Sequence, residues 1–375
     1  MTSASNVLIT GTSGFIGGSL LADLLARADG PIKNAKIFAA TRSDEQVKSV
    51  SKLGINVLQV DLTDEKSVLD AIVKNEVDIV IHTAGAILPQ MAINLIKALG
   101  ERRRVSGIET HYIHTSVATM FSEEGGWPYG QVKDSDDSII EKQKEIGESN
   151  PVRKPETNVI VAELGKAQGV TTYNVPVPTV YGRGTGEWRK LSVNIPAVTR
   201  ASMKLKTVYK FEKDGVGFPH RFNNKTFIQV LIRLQNPPAI HISDLTALYG
   251  AILEKILLKE AIPSNDKGYY FAVAHKSPWW EVMERLAQSM HARGLVSEPT
   301  AKVWPSWEMA AEHTGFPLVF IKAIGTSSGD LVAVNGPKLG WQPKWDEKMY
   351  LDSIDDEVQA VLDLDTVKMT LWDSL

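Results

Sequence analysis

Val7-Leu8-Ile9-Thr10-Gly11-Thr12-Ser13-Gly14-Phe15-Ile16-Gly17 is the stretch that decides the fold. A short apolar run ends in a glycine-rich turn, which passes directly into a segment with helical apolar spacing (Leu20, Leu21, Leu24, Leu25). Strand, tight turn and helix in that order suit a dinucleotide diphosphate. The glycines let the backbone approach closely, and the helix N-terminus offers free N–H groups and a partial positive charge. Three glycines alone carry little weight; their place between a strand and a helix carries the signal. The alternative is a structural turn with no ligand.

Working outward, strand and helix patterns alternate. Strands read at 6–10, 36–41, 55–60, 78–82, 109–116 and 171–177, with helices at 14–28, 44–53, 64–75, 89–104 and 154–168. Such alternation predicts a parallel sheet with right-handed crossovers and helices on both faces. The strands read as apolar throughout (Asp78-Ile79-Val80-Ile81), as expected when both faces are covered. Ligands of such sheets bind outside the carboxyl ends of the strands. The expected fold class is α/β, a Rossmann doubly wound parallel sheet with a smaller C-terminal substrate-binding lobe. Residues 1–182 form the dinucleotide-binding domain, with 239–274 returning to it, and 183–238 with 275–375 form the lobe. Later patterns are a helix at 189–205, a strand at 240–244, a helix at 244–258, a strand at 269–273 and a helix at 278–293. Residues 216–238 read as an atypical surface insertion, with a lid or partner loop as the alternative.

Composition sets limits. The chain has 375 residues, a formal net charge of −3 and no cysteine. Disulfides, thiol catalysis and Cys-ligated metal are excluded, and no general basic surface invites nucleic acid. Arg102-Arg103-Arg104 reads as a solvent-facing helix end. No apolar run is long enough to span a bilayer, and the opening apolar run is the first strand rather than a leader. A cytoplasmic protein, monomer or homodimer, with a small-molecule substrate is expected. His220, His241, His275, His291 and His313 have no metal-ligand spacing, and neither HExxH nor Gly-x-Ser-x-Gly occurs.

The spacing Gly11-x-x-Gly14-x-x-Gly17 and the wording TGTSGFIG resemble the short-chain dehydrogenase/reductase superfamily, in its extended, NAD-dependent epimerase/dehydratase-like branch. The resemblance extends to Asp61-Leu62-Thr63-Asp64, His82-Thr83-Ala84-Gly85, Pro178-Thr179-Val180-Tyr181-Gly182, Ile240-His241-Ile242-Ser243-Asp244 and Leu339-Gly340-Trp341-Gln342-Pro343. It implies that Gly11, Thr12, Ser13, Gly14, Phe15, Ile16 and Gly17 surround the diphosphate. It assigns Asp61 and Leu62 to cofactor contact, with the Asp61 carboxylate accepting from the adenine amino group. Asp64 reads instead as a helix cap. Ala84 and Gly85 leave room for ribose and diphosphate, His82 fixes its turn, and the backbone of Pro178 and Val180 meets the carboxamide.

Strand two ends Ala39-Ala40-Thr41-Arg42. An acid at that place accepts from the ribose 2′-OH of NAD, whereas an arginine accommodates the 2′-phosphate of NADP. The acid is absent and Arg42 is present, so NADP(H) is expected over NAD(H). The alternative is a surface ion pair of Arg42 with Asp44 or Glu45.

The superfamily's chemistry implies a Tyr, a Lys four residues later, and a Ser or Thr closing strand five. A phenol needs a nearby cation to work at neutral pH. This chain departs from that scheme. In Tyr112-Ile113-His114-Thr115-Ser116-Val117-Ala118-Thr119, Val117 falls at the hydroxyl position, beside Ser116 and Thr115. Counting back about five turns from Gly169 puts Lys154 at the lysine position and Asn150 at that of the tyrosine. Tyr129-Gly130-Gln131-Val132-Lys133 offers a second, earlier match. The run Asp134 to Glu148 beside it reads as a solvated helical insertion. The candidates are therefore Lys154, Ser116 and Tyr129 for catalysis, with Lys154 also on the nicotinamide ribose. Tyr181 is a further proton donor or, alternatively, seam packing. Three functions stay open: an NADP(H)-dependent oxidoreductase on a small carbonyl or alcohol with a degenerate Ser-Tyr-Lys site, a non-redox isomerase or epimerase, and an NADP-sensing protein without turnover.

Overall fold

The computed structural model describes residues 5–86, 88–149, 157–211, 236–318, 321 and 329–364. The first half alternates β1 (Asn6–Thr10), α1 (Phe15–Ala26), α2 (Gly30–Lys33), β2 (Lys36–Thr41), α3 (Asp44–Val50), β3 (Asn56–Gln59), α4 (Glu65–Lys74), β4 (Ile79–His82), α5 (Pro89–Ser106) and β5 (His111–Val117). After a two-residue β6 (Val132–Lys133) come α6 (Ile139–Ser149), α7 (Thr157–Gln168), β7 (Thr171–Val177), β8 (Thr179–Tyr181) and α8 (Asn194–Leu205). Six parallel strands form one sheet in the order β3-β2-β1-β4-β5-β7. Chain direction reverses its march between β1 and β4, so the crevice for a ligand opens there.

Alternate residues of each strand bury on opposite faces. Val7, Ile9, Ile37, Ile81 and Val175 pack with Leu20, Leu24 and Leu253. Leu8, Phe38, Val80 and Tyr112 pack with Ile72, Leu95, Leu99 and Val161. Burial on both sides is what holds a parallel sheet, and it makes the fold the expected α/β Rossmann type.

Beyond β8 the chain continues through β9 (Tyr209–Lys210), β10 (Pro238–His241), α9 (Ile242–Leu257), β11 (His275–Lys276), α10 (Trp279–Ala292), β12 (Lys302–Val303), α11 (Trp307–Thr314), β13 (Leu331–Val332), α12 (Asn335–Lys338), α13 (Glu347–Asp352) and α14 (Ile354–Leu364). A separate apolar core joins Tyr181, Ile195, Val198, Met283, Leu286, Tyr350 and Val358.

Several expectations are corrected. The strand read at 240–244 is Pro238–His241, and the helix begins at Ile242, because the His241 ring accepts the Ser243 N–H and starts the helix there. Pro238, read as insertion, belongs to that strand, while residues 216–235 lie outside the described residues. The helix expected from 189 starts at Asn194. Residues 269–273 run beside β7, with Tyr270 and Ala272 N–H groups donating to Asn174 and Pro176, but form no ladder strand beyond the Asn174–Tyr269 bridge.

Asp134 to Glu148 is not a solvated insertion. Ile139, Ile140 and Gln143 are buried, and Asp134 accepts the backbone N–H groups of Phe271, Val334 and Asn335. This buried carboxylate ties the segment to the C-terminal chain. Arg102 likewise turns inward, pairing with buried Asp78 at 3.1 Å, while Arg104 pairs on the surface with Glu101.

Candidate cofactor site and active site

The β1–α1 turn is built for close approach. Gly11 has φ +71, and its carbonyl accepts the Gly14 N–H at 2.8 Å. A Cβ on Gly17 would lie 2.3 Å from Thr83 Oγ1 and 2.4 Å from Gly11 O. The helix N-cap, Gly14, has no capping side chain, so the first amides of α1 stay free for an anion. Thr12 Oγ1 donates to Ala40 O, fastening the turn to β2. The later Gly184–Gly186 segment crosses α1 closely: the Thr185 N–H donates to Ser19 Oγ, and Gly186 lies against Gly18.

At the end of β2, Thr41 is buried and its Oγ1 has no hydrogen-bond partner among the described residues. Arg42 is exposed and makes no ion pair among the described residues; its backbone N–H donates to Gln46 Oε1. Asp44, a competitor for Arg42, accepts instead from Gln59. Asp61 accepts the Thr63 N–H and hydroxyl, which with the nearby Arg42 charge hold its carboxyl below the usual range. Asp64 caps α4 through the Lys66 and Ser67 N–H groups. Ala84 and Gly85, with φ +61 at the glycine, form the turn after β4, both part-exposed.

At the same end of the sheet, Val117 stands opposite Val177 in the β5–β7 register. Val117, Thr119, Pro178, Thr179 and Val180 are part-exposed there. Ser116 is buried, its hydroxyl facing Met120 Sδ at 3.7 Å. Tyr129 is exposed, lies edge-on to Trp127, and donates to Glu145 at 2.7 Å, a bond that raises its phenol pKa. Lys154 and Asn150 lie outside the described residues. Tyr181 is fully buried, its hydroxyl 2.8 Å from His275 Nε2, and burial raises its pKa.

One group was not read from the sequence. Thr10, His82, His114 and Asn174 share a register row across β1, β4, β5 and β7, and all are fully buried. His82 Nδ1 bonds Thr10 Oγ1 at 2.8 Å, fixing the turn as expected. The strands are thus not apolar throughout: besides this row, Thr41, Thr115, Ser116 and Thr172 are buried polar residues within them. His82 Nε2 and Asn174 Oδ1 have no hydrogen-bond partner among the described residues, and the His114 ring is buried with the Ala86 backbone beside it. Burial keeps both imidazoles neutral: it pushes His114 down to about 4 and His82 well below its ordinary value. The signal was available as polar residues at the ends of two apolar runs, Thr10 and His82, and within two others, His114 and Asn174.

A family model described as the NAD dependent epimerase/dehydratase family matches residues 7–215, more than half of the chain. The chain belongs to this family. Its fold is that of the extended short-chain dehydrogenase/reductases, whose cofactors are nicotinamide dinucleotides. No curated protein sequence matches. Vestitone reductase from alfalfa is similar in structure, with 18% identity, 96% and 99% of the two chains covered and a TM-score of 0.56. The UDP-glucose 4-epimerase of Thermotoga maritima gives 14%, 95% and 99%, and 0.57. The dTDP-glucose 4,6-dehydratase of Bacillus anthracis, in complex with NAD, gives 14%, 99% and 99%, and 0.58. At these identities the likeness shows the fold.

The residues present fit the family's cofactor. The glycine turn leaves no room for side chains, the first amides of α1 carry no side-chain cap, and at the end of β2 the Thr41 hydroxyl has no hydrogen-bond partner and the Arg42 guanidinium no ion pair among the described residues. Among the described residues no cluster of His, Asp and Glu is placed to hold a metal, and no helix is long and apolar enough to cross a membrane.

Proposed function

We propose that the protein is an NADP(H)-dependent oxidoreductase acting on a small carbonyl or alcohol. The observation that carries the cofactor preference is Arg42, unpaired among the described residues at the end of a strand that closes on Thr41 rather than an acid. A guanidinium there can grip a 2′-phosphate through two charge-assisted hydrogen bonds. The Gly11–Gly17 amides bind the diphosphate, Asp61 and Leu62 face the adenine, Ala84 and Gly85 admit the ribose, and Pro178 and Val180 wall the nicotinamide end. A bound nicotinamide supplies or accepts the hydride. Lys154 is the cation that this reading places at the reacting end. The lobe of 183–238 and 275–375 closes over the substrate. One similar fold, vestitone reductase, is by name a reductase.

A specific observation favours a second reading, an NADP-binding sensor without turnover. Val117 replaces the strand-five hydroxyl, the Ser116 hydroxyl points at the partly buried Met120 thioether, and the Tyr129 phenol is committed to Glu145. A phenol with a raised pKa is a poorer proton relay near neutral pH.

Titration with NADPH and NADH, followed by a panel of carbonyl substrates, tests both. Oxidation of NADPH that is lost in Lys154→Ala supports the enzyme. Tight NADPH binding with no turnover across the panel supports the sensor. Equal affinity for NADPH and NADH overturns the cofactor assignment.

A further inference from the structure

Three successive residues, from Tyr181 at the end of β8 to Arg183, are each held by a different residue of the C-terminal segment. The Tyr181 ring lies 4.0 Å from that of Tyr350 on α13. The Gly182 N–H donates to Oε1 of Glu357 on α14. Arg183 pairs with Asp363, at the far end of the same helix, at 4.0 Å. Gly182 has φ +93, and a Cβ there would fall 2.2 Å from His241 Nε2. Its backbone is therefore pinned between β10 and α14.

These contacts differ in strength. The Arg183–Asp363 pair is more than half exposed on the arginine side and contributes little. Glu357 is 5% exposed, so its hydrogen bond forms away from water, where leaving the amide without an acceptor costs most. No other side chain among the described residues takes the Gly182 N–H.

The position of this turn gives the tether a consequence. A dinucleotide straddles the switch point between β1 and β4. Its adenosine half lies toward β2 and Arg42, and its nicotinamide half toward β4, β5 and β7. β7 runs straight into Pro178 and β8 on that second side.

We propose that Glu357 is a positioning residue for the nicotinamide half: by holding the Gly182 N–H, α14 fixes the Pro178–Gly182 turn as one wall of that pocket. The proposal rests on the nucleotide reading above. It makes the C-terminal helix, distant in sequence from every cofactor motif, part of how the site recognises the reactive end of its ligand.

The test is calorimetric titration of the full chain with two ligands, NADPH and 2′-phospho-ADP-ribose, which lacks the nicotinamide. In Glu357→Leu the NADPH affinity falls about tenfold or more while the affinity for 2′-phospho-ADP-ribose is unchanged. Glu357→Gln keeps an acceptor oxygen and retains the wild-type preference for NADPH. Glu357→Asp, one methylene short, stands in for the leucine variant if that one does not fold, with the same split expected. Equal loss for both ligands, no loss for either, or a glutamine variant as impaired as the leucine variant overturns the proposal. If the wild-type chain binds neither ligand, the nucleotide reading itself is gone and the tether goes with it. If it binds both and the variants match it, only the tether is refuted.

Discussion

Gly17→Ala is the most searching change to the turn that opens the sequence. The new Cβ would sit 2.3 Å from Thr83 Oγ1 and 2.4 Å from Gly11 O. Ordinary contact needs about an ångström more room. Thr83 cannot swing away freely, because its hydroxyl donates to Thr10 O at 2.7 Å. Gly11 O is backbone and accepts the Gly14 N–H, so its retreat deforms the turn itself. Overpacking of this kind costs roughly 1–3 kcal/mol, and a lost Thr83 bond adds about 1 kcal/mol. Melting should drop by roughly 2–5 °C in a chain of this size. The α1 amides that meet the diphosphate move with the turn, and losing one charge-assisted bond worth about 1.5–3 kcal/mol weakens NADPH roughly 10- to 100-fold. Thermal melting with and without NADPH reads both effects. A variant that melts like wild type and is stabilised as much by NADPH would refute the claim that this close approach forms the diphosphate cradle.

Arg42→Ala should weaken NADPH by about 10- to 100-fold and leave NADH nearly untouched, since only the 2′-phosphate engages the guanidinium; equal losses in paired titrations contradict this. Asp134→Ala strands three backbone N–H groups, two of them fully buried, and should cost about 3–5 kcal/mol in denaturant unfolding; a cost below about 1 kcal/mol would sink the role given to that carboxylate. Acid should destabilise the fold. His111, His114 and His241 are held near 4 by burial, and His82 and His275 are also lowered. The unfolded chain takes up those protons below about 6.5, so stability falls as pH drops from about 6.5 toward 4, by roughly 2 kcal/mol at pH 5 for the fully buried His114. Glu357, raised to about 7 by burial, opposes the trend between pH 7 and its ordinary range, as do Asp78 and Asp134, also raised by burial, but the five imidazoles outnumber them. Melting temperatures from pH 7 to 4.5 check this; His114→Leu, which removes one fully buried imidazole, should flatten the slope, and a slope unchanged by it contradicts the assignment.

The nucleotide half of the molecule was legible because its signals are local. Strand, glycine turn and helix follow one another between Val7 and Ala26, and the residue after strand two is fixed by chain order. What escaped depends on partners far along the chain. Asp134 reads as part of a charged surface run, yet its three donors lie some 137 to 201 residues away. Arg102 sits in a run of three arginines, and only the register of β4 against α5 brings Asp78 to it. The polar row of Thr10, His82, His114 and Asn174 is spread over four strands and becomes one feature only when the sheet is paired. Glu357 gives no sequence sign of reaching Gly182, 175 residues earlier. The reacting end was least legible, because this chain departs there from the residues its family resemblance implies: Val117 for a hydroxyl and Asn150 for a tyrosine.

Direct calorimetry of the wild-type chain with NADPH and with NADH tests the account at its root. Saturable one-to-one binding, tighter for NADPH, is the expected result. The absence of a binding heat with either nucleotide, at protein concentrations where the fold is intact by melting, would contradict it.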